Sequence, residues 1–278
     1  MKKILLSLSM IAVVGVVVAG ATGAFFSDTE TSTGNTFTAG AIDLKVDSEQ
    51  HYNGHECIAN TQNTDGVGGS IPDFVWSTGT NPYPVAGTAC GGTWGQTAGL
   101  DIVSEQFFNF GDIKPGDEGE NTISLHVINN DAYVCATVSN LTSLDNLETE
   151  PEALVDNSTS DTEGELDNEM LWTIWRDDGD NVQEVDTDAD TTVDETTLLS
   201  GNPTNGWLAV YDSTTSTGPL LGGNTGYLGV SWTLPGTSGN ETQTDSLTGD
   251  ISFSVVQSRN NLGYTCNPLD QENSGTPT

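Results

Sequence analysis

The sequence predicts an all-β protein folded as an antiparallel β-sandwich. Short segments with alternating apolar residues recur along the chain, and clusters of Gly, Asp and Thr separate them. Apolar residues at helical spacing are almost absent. Many short strands joined by turns, with hardly any helix, are typical of sandwiches and barrels. The length of 278 residues suits one large β domain or one domain with an insertion.

The chain opens with the features of an export signal. Met1–Lys3 supply positive charge, and Ile4–Ala21 is an almost unbroken apolar run. Small residues precede a predicted cut between Ala24 and Phe25, so residues 1–24 are expected to be a removable signal peptide. The alternative is an uncleaved membrane anchor, because an apolar run of about 18 residues is near the lower limit for spanning a bilayer.

Residues 25–40, which would begin the mature chain, are rich in Thr and Ser and contain no Pro. They have little apolar surface to bury, so they suit either a strand added to the edge of a sheet or a disordered tail. The first strand of the core follows, with Ile42, Leu44 and Val46 alternating along it.

Residues 48–100 differ in composition from the strands around them. They are rich in Gly, Thr, Asn and Pro, and we interpret them as a loop-rich insertion. One short strand is expected at Phe74–Trp76. Its Trp76, together with Tyr83 and Trp94, is expected to form a small core that belongs to the insertion alone.

Four cysteines in a chain expected to be exported indicate two disulfides. Four cysteines allow three pairings, and the sequence alone does not choose among them. We favour Cys57–Cys90, which would close the insertion, and Cys135–Cys266, which would tie a central strand to the C-terminal end. No C-x-x-C pair is present, so the sequence indicates neither a redox motif nor a zinc ribbon.

The middle of the chain predicts one strand followed by a hairpin. Gln106–Phe110 is expected to be a strand, with a turn after it at Pro115-Gly116. The segment NTISLHVINND alternates apolar and polar residues, as a half-buried strand does. After a turn at Asn129–Asp131, the segment DAYVCATVSNLT is expected to pair with it as a hairpin.

The later part of the chain predicts a connection and then four more strands. Residues 143–169 are acidic and rich in Ser and Thr, so we expect a solvated connection with at most one short helix. The further strands lie in the segments LWTIWR, GWLAVYD, TGYLGVSWTLPG and LTGDISFSVVQSRN. They complete a sandwich over residues 41–266, and residues 267–278 are expected to be a disordered tail.

The charge of the chain excludes several classes of partner. It carries 40 Asp and Glu against 6 Lys and Arg, a formal net charge of −34. Nucleic acids and anionic membrane surfaces attract Lys and Arg, so neither is expected to bind. Self-repulsion weakens where the Debye length falls to about 3 Å, as at 1 M salt. The composition is typical of proteins secreted by haloarchaea, with a calcium-buffered acidic surface as the alternative.

Two runs in the sequence closely resemble the TasA/camelysin family of matrix and pilus-like fibre subunits: ATGAFFSDTETSTGNTFTAGAIDLKVD and DIKPGDEGENTISLHVINND. The small-residue cut site, the AFFSD start and the NTFTAGAIDL strand carry the resemblance. It implies a jelly-roll sandwich that lacks a strand, cleavage by a SipW-type signal peptidase, and insertion of the mature N-terminal strand into the next subunit. The donor-strand residues would be Phe25, Phe26, Thr31, Thr33 and Phe37.

The name camelysin carries a metalloprotease label, and the commonest zinc motif of such enzymes is His-Glu-x-x-His on a helix. His51 and His55 are four residues apart, but the turn-forming Asn53-Gly54 lies between them and Glu56 lies outside the pair. We interpret both as loop histidines with at most a weak surface metal site, and His126 as a strand-surface histidine. No nucleophile elbow, P-loop or dinucleotide fingerprint is present. No catalytic residue is therefore predicted.

The densest acidic cluster lies between Asp177 and Glu195, and calcium is the only cofactor that the sequence suggests. The candidate ligands are Asp178, Asp180, Asp186, Asp188 and Asp190. The last three match the start of an EF-hand loop, but Thr191 and Thr197 replace its turn Gly and its bidentate Glu. A solvated acidic loop is the alternative interpretation.

Three Asn-x-Ser/Thr sequons occur, at Asn140, Asn157 and Asn240. In an exported chain such sequons mark surface positions. Glycans attached there would add solubility.

Taken together, these features predict a secreted, non-enzymatic subunit of extracellular fibres. It would form a head-to-tail homopolymer after removal of its signal, outside any membrane. A monomeric cell-surface adhesion module that uses the insertion, with or without Ca²⁺, is the first alternative. A metallopeptidase is the second.

Overall fold

The computed structural model describes most of the chain after the predicted signal. The described residues are 27–32, 36–38, 43–62, 72–97, 105–146, 150–155, 163–184 and 195–267. Among these residues, no helix has the length and apolarity needed to cross a bilayer. The predicted signal peptide and its cut site lie outside this set, as does nearly all of the predicted tail.

Thirteen strands among the described residues form two antiparallel sheets, which confirms the predicted sandwich. The five-stranded sheet has the spatial order β11 (Gly206–Tyr211), β8 (Ala132–Leu144), β13 (Ser246–Gln257), β1 (Ser27–Ser32) and β2 (Thr36–Thr38). The eight-stranded sheet has the order β10 (Thr197–Gly201), β9 (Leu171–Asp177), β12 (Thr225–Thr233), β7 (Glu118–Val127), β3 (Leu44–Tyr52), β4 (His55–Ala59) and β5 (Phe74–Trp76), with β6 (Trp94–Thr97) paired to β3. One helix, α1 (Leu166–Glu169), precedes β9.

The main core lies between the two sheets and follows the alternation in the sequence. β7 contributes Ile123 and Leu125, and β13 contributes Phe253 and Val255, all four with no exposed surface. Their neighbours along each strand point the other way, because successive side chains of a strand alternate between faces. The two apolar faces bury one another and hold the sheets together.

The prediction that β7 and β8 pair as a hairpin is wrong. The two segments are strands, but β7 belongs to the eight-stranded sheet and β8 to the five-stranded sheet. Residues 128–131 therefore cross from one sheet to the other. Each strand carries a buried apolar face, Ile123 to Val127 on β7 and Ala132 to Ala136 on β8, and these faces pack against each other across the core.

The predicted strand Gln106–Phe110 is also wrong, because this segment has no strand pairing. Its Phe107 side chain packs into the core between the sheets and is 3% exposed. The carbonyl of Phe107 accepts hydrogen bonds from the side-chain amides of Gln50, at 3.0 Å, and Asn121, at 2.9 Å. Buried backbone groups need partners, and here side chains supply what a neighbouring strand would otherwise supply.

The insertion does not form a core of its own. β3 continues through Tyr52, so the loop-rich part begins later than residue 48. Trp94 packs on Phe107 in the main core, with ring centroids 5.3 Å apart. Trp76 and Tyr83 pack on Tyr52, which connects them to a second cluster at the end of the sandwich.

Both favoured disulfides are confirmed. Cys57 pairs with Cys90, which fastens β4 to the segment between β5 and β6. Cys135 on β8 pairs with Cys266, beyond the end of β13. The described cysteines include no free thiol.

Candidate functional site

The first candidate site is the edge of β13 that faces β1. β1 pairs with β13 over six residues, from Ser27 opposite Val256 to Ser32 opposite Ile251. β8 occupies the other edge of β13. The sequence of β1, SDTETS, contains no apolar residue, so this pairing depends on main-chain hydrogen bonds rather than on apolar burial.

The structure differs here from the expected sandwich with a missing strand. In the single chain, the position beside β13 is filled by the chain's own leading strand. β2 adds to the outer edge of β1, with Thr31 opposite Thr36. An unpaired strand edge exposes a row of N–H and C=O groups, and this self-pairing covers that edge. Of the predicted donor residues, Thr31 lies in β1 and Phe37 in β2, while Phe25, Phe26 and Thr33 lie outside the described residues.

A groove of about 1200 Å³ opens between the sheets next to this pairing site. Its apolar lining includes Phe108, Phe110, Trp172 and Leu247. It borders residues 246–250, where β13 continues beyond Ile251, the partner of Ser32.

The second candidate site is an acidic hollow on the outer face of the eight-stranded sheet. Glu49 and His51 lie two residues apart on β3 and share that face. In the ladder, His51 lies directly opposite Glu56 of β4 on one side and Glu120 of β7 on the other. The hollow has a volume of about 640 Å³, and Asp47, Glu49, His51, Glu120, Asp180 and Asn181 are among its lining residues.

Three side chains in this region converge to within metal-ligand reach. The ligand atoms of Glu49, His51 and Glu56 all lie within 4.8 Å of one another. Nδ1 of His51 lies 2.7 Å from Nδ2 of Asn181. Burial raises the pKa of the Glu120 carboxyl to about 7, and repulsion from Asp177 and other nearby carboxylates adds to the effect.

The two histidines of the H-x-x-x-H run point to opposite faces of the sheet. Asn53 and Gly54, at φ 49° and 74°, form the two-residue turn between β3 and β4. The ladder therefore pairs His55 with Tyr52, while His51 pairs with Glu56. Both ring nitrogens of His55 are within hydrogen-bonding distance of backbone carbonyls, those of Ser77 and Asn81. A shared metal on the two histidines does not fit this geometry.

The sequence contained a signal for the Glu49–His51–Glu56 cluster. Asn-Gly between alternating residues is the strongest short-range hairpin signal, and it places Glu56 beside His51. The contact between His51 and Asn181 had no local signal, since 130 residues separate them.

Two further carboxylate clusters contain oxygen ligands alone. Asp178, Asp180 and Glu184 form one of them, so two of the predicted calcium ligands do lie together. Asp186, Asp188 and Asp190 lie outside the described residues. The other cluster joins Asp145, Glu152 and Asp245. Ca²⁺ prefers such oxygen ligands, whereas an imidazole suits first-row transition metals.

His126 is not a plain surface residue. Its Nε2 lies 2.6 Å from the Asp47 carboxylate, and its Nδ1 lies 2.8 Å from the Thr225 hydroxyl. These partners account for its polar atoms without a ligand.

Two of the three sequons lie at exposed positions among the described residues. Asn140 on β8 and Asn240, at the start of a short 3₁₀ turn, are both exposed. The Asn140 amide donates to Asp250 at 2.6 Å, so a glycan there would replace that contact. Asn157 lies outside the described residues.

Comparison with known protein families gives a match in the N-terminal region. Residues 1–59 match the family model described as "Camelysin metallo-endopeptidase". No curated protein and no solved structure matches the chain. The matched segment ends at the last residue of β4, so it contains β1, Glu49, His51 and Glu56. The family description implies a metal ion, and one imidazole with two carboxylates is a donor set that suits a divalent ion. Residues 1–59 of the chain are therefore similar to the camelysin family.

Proposed function

We propose that this chain is a secreted structural subunit that polymerises into extracellular fibres by placing its N-terminal strand on the β13 edge of a neighbouring copy. The observation that carries the proposal is the β1–β13 ladder. It identifies β13 as an edge that accepts a strand of this sequence, in a defined register.

Exchange between copies preserves the interactions that the single chain makes. A neighbour's β1 would form the same main-chain ladder on β13, so swapping loses little interaction energy. The hairpin of β1 and β2 joins the eight-stranded sheet through residues 39–43, a short connection between Thr38 and Leu44. Each copy would give one strand and receive another at a different surface. Such a head-to-tail contact does not close on itself, so it generates a filament.

Export is the setting that this proposal requires. Two disulfides are typical of proteins that fold in oxidising compartments. A SipW-type signal peptidase would remove residues 1–24 and free the N-terminal strand to leave its own sheet. High salt would then screen the repulsion between copies that each carry a formal charge of −36 once Lys2 and Lys3 have been removed with the signal.

A structural role fits the described site better than proteolysis does. A water-activating zinc centre commonly holds its metal on two histidines of one motif, and His51 and His55 face opposite sides of the sheet. The fibre proposal uses none of the histidines.

Deletion of residues 25–38 tests the proposal. The mature protein should form fibres in high salt, visible by electron microscopy. The truncated protein should stay folded and monomeric, because both sheets retain their core strands. Fibres formed by the truncated protein would refute the proposal, and so would an intact protein that stays monomeric across a salt series.

A peptide added in trans provides the matching control. A synthetic peptide of residues 25–38 should bind the truncated protein at its vacant β13 edge, whereas a peptide of the same composition in scrambled order should bind more weakly. If neither peptide binds, β13 is not an acceptor edge.

A further inference from the structure

We infer that Glu49, His51 and Glu56 form a binding site for a divalent transition-metal ion such as Zn²⁺ on the outer face of the eight-stranded sheet. The inference does not rest on fibre assembly. The three residues lie on β3 and β4, whereas the strand-pairing site lies on the five-stranded sheet.

A short local segment builds the site. The turn at Asn53-Gly54 brings β4 back beside β3 with His51 directly opposite Glu56. Glu49 lies two residues before His51 on the same face. The three ligand atoms lie within 4.8 Å of one another, so small side-chain rotations bring each to the 2.0–2.2 Å that nitrogen and carboxylate ligands of zinc adopt.

A neighbouring loop orients the imidazole. The side chain of Asn181 contacts Nδ1 of His51, and this leaves Nε2 for a ligand. Asn181 is itself held, because its backbone N–H donates to Asp177 at 3.3 Å and its side chain bonds the Thr122 hydroxyl. A metal on Nε2 requires the proton to reside on Nδ1, and the Asn181 amide accepts that proton through its oxygen once the amide has rotated. Metal-bound histidines generally use their second nitrogen in this way.

The charge around the site favours a cation and disfavours an anion. Asp47, Glu120 and Asp180 line the same hollow. Clustered carboxylates repel one another unless a cation or solvent compensates them. A divalent ion on Glu49, His51 and Glu56 would reduce this repulsion across the whole outer face.

The imidazole sets the expected metal preference. The other two carboxylate clusters among the described residues offer oxygen alone. A nitrogen ligand raises affinity for Zn²⁺ and Co²⁺ over Ca²⁺, which prefers six to eight oxygens. The Asp178–Asp180–Glu184 cluster on the adjoining loop is therefore the control, because it offers three carboxylates and no nitrogen ligand. Its Asp178 and Glu184 lie outside the lining of the hollow.

The test is metal binding to the mature protein, with no activity assay. Zn²⁺ is titrated by calorimetry, and bound Co²⁺ is followed by its visible absorption. We expect one equivalent bound, retained in excess Ca²⁺. The variants E56Q and H51Q should each weaken binding by at least about 10-fold. D178N/E184Q, which changes two carboxylates outside the hollow lining, should leave binding within about 2-fold of the parent.

H51Q removes the contact with Asn181 and could disturb that loop. E56Q avoids this problem, because Glu56 is exposed and Gln has nearly the same shape. The test therefore remains decisive through E56Q. Circular dichroism and melting temperature check that each variant is folded. The inference is overturned if the parent binds neither Zn²⁺ nor Co²⁺, if E56Q binds as tightly as the parent, or if D178N/E184Q abolishes binding.

Discussion

Gly229 lies where β12 packs closely against an indole ring on the outer face of the eight-stranded sheet. It lies opposite Trp175 in the β12–β9 ladder, and Trp175 is 1% exposed. A Cβ atom at position 229 would lie 2.2 Å from Cε2 of that indole. The Trp175 ring is also fixed by its N–H, which donates to Asp177 at 3.0 Å. Burial and this hydrogen bond together hold the ring against β12.

We predict that G229A destabilises the protein by about 1–3 kcal/mol, the usual effect of overpacking a buried site. G206A is the control, since a Cβ atom at position 206 meets nothing within 4 Å. Urea unfolding of both variants measures the difference. Equal stability of the two variants would show that Trp175 is not held against the strand.

Asp245 couples stability to pH. Burial raises the pKa of its carboxyl from 3.8 to about 6, and repulsion from Glu152 and Asp145 adds to this, while a hydrogen bond from the Glu165 N–H opposes it. The folded protein thus binds this proton more tightly than the unfolded chain does. Its contribution to stability is greatest below pH 4, falls as pH rises from about 4 to about 6, and is constant above that.

We predict that D245N stabilises the protein above pH 6 by about 1 kcal/mol, a value discounted for partial exposure of the group. The new amide keeps one oxygen for the Glu165 N–H and gains a donor toward the neighbouring carboxylates. Thermal melts from pH 4 to pH 8 should show a flatter profile for D245N than for the parent. If the melting temperatures of D245N and the parent change with pH in parallel, Asp245 is not the group that couples stability to pH in this range.

At the scale of single residues, local sequence signals predict contacts only between residues that one turn brings together. Asn53-Gly54 is readable as a hairpin turn, and it sets Glu56 beside His51. The partners that complete the hollow, Asn181 and Glu120, come from distant segments. No spacing rule links those segments to His51, so the structure was needed to place them.

At the scale of elements, the sequence located strands better than it located their partners. The alternation in β7, β9 and β13 was enough to predict each of them as a strand. The same alternation does not say whether β8 pairs beside β7 or faces it across the core, because both arrangements bury one face. The Phe107 segment differs from the predicted strand for a related reason. An aromatic run suits a strand, but here the side-chain amides of Gln50 and Asn121 bind the backbone carbonyl.

The two disulfides connect elements over very different lengths of chain. Cys57–Cys90 spans 33 residues and Cys135–Cys266 spans 131. In the chain-entropy account, a longer closed loop restricts the unfolded state more, which stabilises the fold by about 3–4 kcal/mol for the short loop and roughly 4–5 kcal/mol for the long one.

We predict that the double variant C135A/C266A is less stable than C57A/C90A. Each removes one bridge and leaves Ala at both positions, so the two variants serve as controls for each other. Urea unfolding under non-reducing conditions measures the order. The reverse order would show that local packing at Cys57 and Cys90 outweighs loop length.

At the scale of the whole molecule, the two candidate sites lie on different sheets. The five-stranded sheet carries the β1–β13 pairing, and the eight-stranded sheet carries the acidic hollow. Assembly and metal binding can therefore be separated by mutation. The sequence predicted the sandwich and the acidic surface, because these follow from alternation and composition. It did not predict that β1 pairs with β13 of its own chain. The same residues would form the ladder if β1 paired with β13 of another copy, so the sequence does not distinguish the two arrangements.

A cysteine pair across the β1–β13 ladder tests the central claim most directly. Thr31 lies opposite Ser252, so T31C/S252C places two thiols across that ladder. The control T31C/T248C offsets them by four residues, roughly 13 Å along a strand. After oxidation in high salt, the account predicts a ladder of disulfide-linked multimers for T31C/S252C on a non-reducing gel, and none for the control. If fibres form and T31C/S252C yields only internally linked monomers, the strand is not exchanged and the account is wrong.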